Sequence, residues 1–130
     1  MNIRKFFGEI LFWLHVPVII IWFGLFFIPA SVWPSKVVYH FWFIILAFAS
    51  QLLWGLILYP IRKHLGWGVC FLTTLNQRVR GYPISDPHNH NHWFLEELSE
   101  RLGYKFSQAV IQSALVGSTI LVTIQYSLVN

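Results

Sequence analysis

Three long stretches of the chain are apolar and contain no charged side chain. They cover residues 10–30, 37–59 and 107–128. An α-helix rises about 1.5 Å per residue, so each stretch is long enough to cross a hydrocarbon core of about 30 Å. The pattern predicts an all-α membrane protein, with three transmembrane helices in a single integral membrane domain that covers residues 1–130.

Composition agrees with this prediction. Only 11% of the 130 residues are charged, whereas soluble domains carry about 25%. Arg4 and Lys5 resemble the basic start of a signal peptide, but the apolar stretch that follows is longer than the roughly 7 to 15 residues of a signal sequence. We therefore expect the first stretch to remain in the bilayer as a helix.

The basic residues predict the orientation. If the N-terminus lies inside, Lys36 is the only one of the nine that falls on the outer side. The eight on the inner side are Arg4, Lys5, Arg62, Lys63, Arg78, Arg80, Arg101 and Lys105. The positive-inside bias then predicts N-in and C-out, with residues 60–106 as a cytoplasmic loop. Because topology accounts for the net charge of +4, no nucleic-acid partner is expected.

The loop is expected to carry two short interfacial helices. Thr74 and Gln77 have the spacing of a capping box, which predicts a helix that runs through Arg80. The second helix covers residues 93–102 and ends before Gly103. Its apolar side consists of Trp93, Phe94, Leu98 and Leu102. We expect that side to dip into the inner headgroup region.

Three polar side chains inside the spans fall at similar depths. His15 and Gln112 lie about 8 Å from the inner ends of their helices, and Gln51 lies about 12 Å from its own. Each would be costly if it faced lipid, so they should turn toward one another or toward a partner. They are either hydrogen-bonding links between helices or the wall of a quinone pocket, in which His15 donates to a carbonyl oxygen. A haem held by His15 and His40 of the same chain is excluded, because their axial separation is about 20 Å. A haem shared with another subunit stays an open alternative.

The strongest metal-ligand signal is a cluster of three histidines, His88, His90 and His92. If a helix begins near Pro87, two of them align with Glu96 at a spacing of four residues. Imidazole and carboxylate ligands together suit Zn, Cu or Fe. The alternative is that these histidines are solvated loop residues.

Small residues recur along the third stretch at a spacing of four. Ala109, Ser113 and Gly117 would lie on one helix face and allow another helix backbone to approach closely. Packing within the chain is the preferred interpretation. An exposed face of this kind would instead favour a partner subunit or a second copy of the chain.

One segment runs from Cys70 through Leu72, Thr73 and Leu75 to Arg78, after Gly-Trp at 66–67. It resembles the signature of a family of small bacterial inner-membrane proteins of unknown function. The family pattern is Gly-Trp-x-Cys-Pro-Leu-Thr-x-Leu-Glu, so Phe replaces Pro at 71 and Asn replaces Glu at 76. The resemblance implies a location in the bacterial inner membrane and brings no known activity.

The preferred function is a non-enzymatic accessory or assembly subunit of a larger membrane complex. Three helices bury little surface among themselves, and a loop of this size is too small for a catalytic domain. The expected partners are the lipid bilayer and other membrane subunits or further copies of the chain. The alternatives are a metal-binding module that uses the histidine cluster and a quinone- or redox-linked subunit that uses His15.

Overall fold

The structure of the protein is a computed structural model that describes residues 2–61, 68–87 and 93–129. Within these ranges the chain forms six α-helices and no β-strand. The helices are α1 (Ile3–Trp13), α2 (Val16–Gly24), α3 (Lys36–Leu58), α4 (Phe71–Arg80), α5 (Trp93–Arg101) and α6 (Gln108–Val129). The all-α prediction is confirmed over the described residues.

Three helical segments are long and apolar enough to cross a membrane, as predicted. They are Ile3–Gly24, which combines α1 and α2, then α3, and then α6. The second and third lie within a residue or two of the predicted bounds. The first begins seven residues earlier than predicted, because Asn2 caps it by accepting a hydrogen bond from the Arg4 backbone N–H at 3.1 Å. It also ends earlier, at Gly24, and turns follow it.

A short break separates α1 from α2. Pro17 has no N–H to donate to the carbonyl of Trp13, so the regular hydrogen-bond ladder fails one turn before the proline. Leu14 and His15 form a turn at this point. The backbone N–H of His15 bonds instead to the carbonyl of Phe12, three residues back, at 3.1 Å. The break directs the side chain of His15 into the interior of the protein, where it is 5% exposed.

One hydrophobic core joins the three spans. It is built from Trp22, Ile44 and Val122, which come from α2, α3 and α6. The indole N–H of Trp22 donates to Ser118 Oγ at 2.9 Å, and the ring of His40 donates to the Trp22 carbonyl at 2.7 Å. Polar groups inside an apolar span are costly without partners, so these bonds hold the three helices in a defined arrangement.

A second core forms where α5 covers the break between α1 and α2. Phe12, Trp93 and Phe94 are buried together, with Val16 and Ile19 packed against them. The expectation that Trp93 and Phe94 dip into lipid is therefore wrong, because the protein itself buries both rings. The predicted end of this helix is close to the observed one, and Gly103 follows in a left-handed conformation with φ +84°.

Helix α4 is short and polar, and four of its ten residues are buried. It begins at Phe71 with Cys70 as its N-cap residue, so the capping box predicted at Thr74 does not form. Thr74 instead lies inside the helix and accepts a hydrogen bond from the Trp54 indole at 3.1 Å. Asn76 donates to the carbonyl of Gly8 at 2.7 Å. These contacts attach α4 to α1 and α3, and the helix ends at Gly81 with φ +102°.

Candidate ligand cavity

The site is organised around the imidazole of His15. Its Nδ1 lies 3.0 Å from the carbonyl oxygen of Leu11. A carbonyl can only accept, so Nδ1 carries the proton and the neutral ring presents Nε2 as an acceptor. Nε2 lies 3.4 Å from Thr73 Oγ1 and 3.8 Å from Cys70 Sγ. The donor role predicted for His15 is therefore reversed, because its N–H is already used within the helix.

The plane of the imidazole is held by aromatic residues of α5. The ring of Phe94 stacks on His15 with centroids 4.5 Å apart and planes 15° apart. Trp93 meets the same ring edge to face at 6.4 Å. Stacking and the bond to Leu11 together leave the imidazole little freedom to rotate. Nε2 is thus an acceptor in a fixed position.

A cavity of about 200 Å³ lies beside His15, and Gln51 and Gln112 also line it. The structure thus brings the three residues of the predicted polar layer to one cavity. Its remaining walls are Val18, Ile19, Trp22, Phe48, Cys70, Thr73, Phe94, Leu95, Leu115 and Val116. None of these side chains is formally charged. An unpaired charge would be costly in such surroundings, so the cavity suits a neutral occupant.

The two glutamine amides bring unused hydrogen-bonding capacity to the cavity. Among the described residues, neither the Gln51 nor the Gln112 side chain forms a hydrogen bond. Gln112 and its neighbour Val116 are also exposed, so the cavity opens to the outside beside α6. Each amide can donate two hydrogen bonds and accept others. The two amides therefore offer donors and acceptors to a polar group in the cavity.

The residues of the Cys-x-Leu-Thr-x-Leu segment separate into two groups. Cys70 and Thr73 line the cavity beside His15. Leu75 and Arg78 are exposed on another side of α4, next to Arg4 of α1. Leu72 is half-buried and lies in a hollow next to Gln51. A hydrogen bond from Val69 N to the Gln51 carbonyl at 3.3 Å holds the start of this segment against α3.

Two arginines and two glutamates join α5 to α1 and α4. Arg101 binds Glu9 with two hydrogen bonds of 2.7 and 2.8 Å. Arg80 binds Glu97 with two bonds of 2.9 and 3.1 Å, and Glu97 also accepts from Arg101 at 2.7 Å. The hydrogen bonds from Arg101 to Glu9, and then those to Glu97, raise the pKa of the Arg101 guanidinium. We call these four residues the charge cluster.

The charge cluster also supports the aromatic core beneath it. The Arg101 guanidinium lies 4.0 Å from the ring centroid of Phe12, and that of Arg80 lies 4.9 Å from the ring of Trp93. Such cation–π contacts add to the ion pairs. The charge cluster thus holds α5, and with it Phe94, over His15.

Sequence reasoning did not identify the charge cluster. The spacing of four residues between Glu97 and Arg101 was a signal for a pair within α5. The contacts with Glu9 and Arg80 depend on how α1 and α4 pack, which local spacing does not show. The burial of Phe94 against His15 depends on the same packing between distant segments.

The predicted metal ligands are placed only in part. His88, His90 and His92 lie outside the described residues. Glu96, the fourth predicted ligand, is half-buried on α5. Over residues 2–61, 68–87 and 93–129, no group of three or more His, Cys, Asp or Glu side chains could hold a metal ion.

The predicted stripe of three small residues on α6 does not pack within the chain. Ala109, Ser113 and Gly117 are all exposed, and a Cβ added at Gly117 would meet nothing within 4 Å. Helix α6 instead faces the bundle with Ile111 and Val122, which are buried. The preferred interpretation of this stripe, packing inside the chain, is wrong for the described residues.

No family model, curated protein or solved structure matches the chain.

Proposed function

We propose that the protein is a non-enzymatic accessory or assembly subunit of a larger membrane protein complex. The observation that carries this proposal is the outer face of α6, where Ala109, Ser113 and Gly117 lie exposed in one stripe. Small residues allow a neighbouring helix backbone to approach closely, and transmembrane helices associate through such faces. The stripe faces away from this chain's own core, so a helix of another subunit would fill it.

The limited packing of α6 supports the same proposal. In the most apolar stretch of this helix, only 11% is buried inside the chain, whereas 22% of the corresponding stretch of the first span is buried. Helix α6 also carries more polar side chains than the other two spans. Polar residues in transmembrane helices generally face protein rather than lipid. A neighbouring subunit would shield them.

We propose an orientation with the N-terminus inside a bacterial inner membrane. Helices α4 and α5 pack beside α1, so Arg78, Arg80 and Arg101 gather at the end of the molecule where Arg4 and Lys5 lie. At the far end of α2, Lys36 donates to the carbonyls of Leu25 and Ile28. This distribution supports the orientation through the positive-inside bias.

Substitution of Gly117 by leucine tests the proposed interface. A Cβ added at Gly117 would meet no atom of the chain within 4 Å, so we expect Gly117→Leu to fill the stripe, and leucine favours helix formation more than glycine does. We expect the variant to fold and to lose its partner subunits when native membranes are solubilised in mild detergent and the tagged protein is purified. The measurement is native mass spectrometry of the purified assembly.

Ala49→Leu is the matched control, because Ala49 is a small exposed residue of another transmembrane helix. It should retain any partner that the wild-type chain carries. A wild-type chain that purifies only as a monomer, or a Gly117→Leu chain that keeps the wild-type assembly, would contradict the proposal.

A further inference from the structure

We propose that the cavity beside His15 is a binding site for one neutral aromatic ring that carries hydroxyl groups, the chemistry of a hydroquinone head. The inference does not depend on the proposed subunit role. It rests on the hydrogen-bonding groups, the size and the opening of the cavity. Each of these restricts the class of ligand in a different way.

Beside His15, the cavity favours a ligand group that donates a hydrogen bond over a carbonyl, which can only accept one. The proton of His15 is held on Nδ1 by the Leu11 carbonyl, so Nε2 offers a lone pair to the ligand. The contacts of Nε2 with Thr73 at 3.4 Å and Cys70 at 3.8 Å are long. A ligand hydroxyl could therefore compete for this lone pair. A quinone carbonyl would place an acceptor against an acceptor.

The glutamine amides can bind a second hydroxyl group of the ligand. Gln51 and Gln112 line the same cavity as His15 and form no hydrogen bond with any described side chain. A second ring oxygen could accept from one amide and donate to the other. A dihydroxylated ring thus satisfies His15 and the amides together, whereas an aliphatic chain satisfies none of them.

The size and the walls of the cavity match a single ring. A cavity of 150 Å³ holds benzene, so about 200 Å³ accommodates one six-membered ring with a few small substituents. Trp22, Phe48 and Phe94 supply aromatic surface to the cavity wall. Aromatic rings pack favourably edge to face and in offset stacks. A fused system of several rings would be too large.

The opening of the cavity indicates how the ligand enters. Gln112 and Val116 line the cavity and are exposed on a membrane-spanning helix. A ligand therefore enters from the side of α6, where acyl chains lie around an embedded protein. A lipid-borne ring with an isoprenoid-like tail fits this path, since the tail could remain outside while the head enters.

Ligand binding to the purified protein tests the proposal. The probe is a decyl-substituted hydroquinone, kept reduced under anaerobic conditions, and it is compared with its oxidised quinone by calorimetry in lipid nanodiscs. We expect saturable binding with a stoichiometry near one, at least about tenfold tighter for the hydroquinone. A methyl hydroquinone without the tail distinguishes a lipid-borne ring from a free phenol. The tailed probe should bind more tightly if the ring is lipid-borne.

Gln112→Leu is the test variant, and Gln125→Leu is its matched control on the same helix, because Gln125 does not line the cavity. Gln112 is exposed, so its replacement should not prevent folding. We expect at least a tenfold loss of hydroquinone affinity for Gln112→Leu and wild-type affinity for Gln125→Leu.

Three results would overturn the proposal. The first is no saturable binding of any probe, which would mean that the cavity holds only water. The second is equal or tighter binding of the quinone, which would contradict the acceptor role of His15. The third is unchanged affinity in Gln112→Leu.

Discussion

At the scale of single residues, two helical glycines have opposite surroundings. A Cβ added at Gly8 would lie 3.1 Å from Cγ of Arg80, whereas one added at Gly117 would meet no atom within 4 Å. Gly8 is buried where α1 meets α4, and its carbonyl accepts the Asn76 hydrogen bond. The absence of a side chain at Gly8 is what lets Arg80 pass over α1 toward its carboxylate partners.

Valine substitutions at Gly8 and at Gly117 should differ in their effect on stability, because only Gly8 is packed against another side chain. We expect Gly8→Val to lower the free energy of unfolding by about 1–3 kcal/mol, the usual cost of an overfilled interior. Gly117→Val carries the same helix propensity change without the clash and should leave stability nearly unchanged. Thermal unfolding of the purified protein in detergent measures both, and equal melting temperatures would refute the assigned contact.

The position and the hydrogen bonding of His15 also depend on its local backbone. The residue occupies the turn created by Pro17, and its role as acceptor follows from one carbonyl, that of Leu11. Had the helix continued without a break, the ring would point elsewhere on the helix surface. A single proline thus determines both the position and the chemistry of the imidazole.

At the scale of elements, the position of α5 depends on the charge cluster. Glu97 is the shared acceptor, since it binds both Arg80 and Arg101. The side chains of the four members are 21 to 34% exposed. Both arginine–glutamate pairs are bidentate, and bidentate pairs in a network contribute more to stability than isolated surface ion pairs. The cluster therefore controls how firmly Phe94 covers His15.

Neutralising Glu97 should loosen α5. We expect Glu97→Gln to lower stability by about 1–2 kcal/mol, between the values for surface and buried ion pairs. Hydrogen exchange should quicken across residues 93–101 and remain unchanged in α3. Glu100→Gln is the control on the same helix, because Glu100 is exposed. Exchange that quickens equally in both variants would show that the charge cluster does not hold α5.

At the scale of the whole molecule, charge and apolar surface are divided between ends and sides. Basic side chains gather at the end formed by the start of α1 together with α4 and α5, and Lys36 lies near the other end. Between these ends, large apolar side chains such as Ile20, Leu46 and Ile124 are exposed. Lipid or a partner helix would cover them.

Accessibility to a membrane-impermeant thiol reagent tests the orientation. In a Cys70→Ser background, Val32→Cys should be labelled from outside intact cells, because Val32 lies between the first and second spans and is 73% exposed. Lys105→Cys should be labelled only after the membrane is permeabilised. The reverse pattern would place the N-terminus outside and invert the proposed topology.

The number and approximate positions of the apolar spans followed from the sequence alone, because burial in hydrocarbon requires long uncharged helices whatever their packing. The common depth of His15, Gln51 and Gln112 also followed, since the rise per residue is constant along a helix. The local sequence also predicted that α5 ends before Gly103, which has a positive φ.

Only the tertiary structure decided which surfaces meet. It buried Phe94 against His15 rather than in lipid, left Ala109, Ser113 and Gly117 exposed, and joined Glu9 to Arg101. An amphipathic pattern indicates that the apolar face of a helix is covered, but it does not identify what covers that face. Since lipid, a partner helix and the chain's own aromatic rings satisfy the same pattern, the choice among them depends on contacts between residues far apart in sequence.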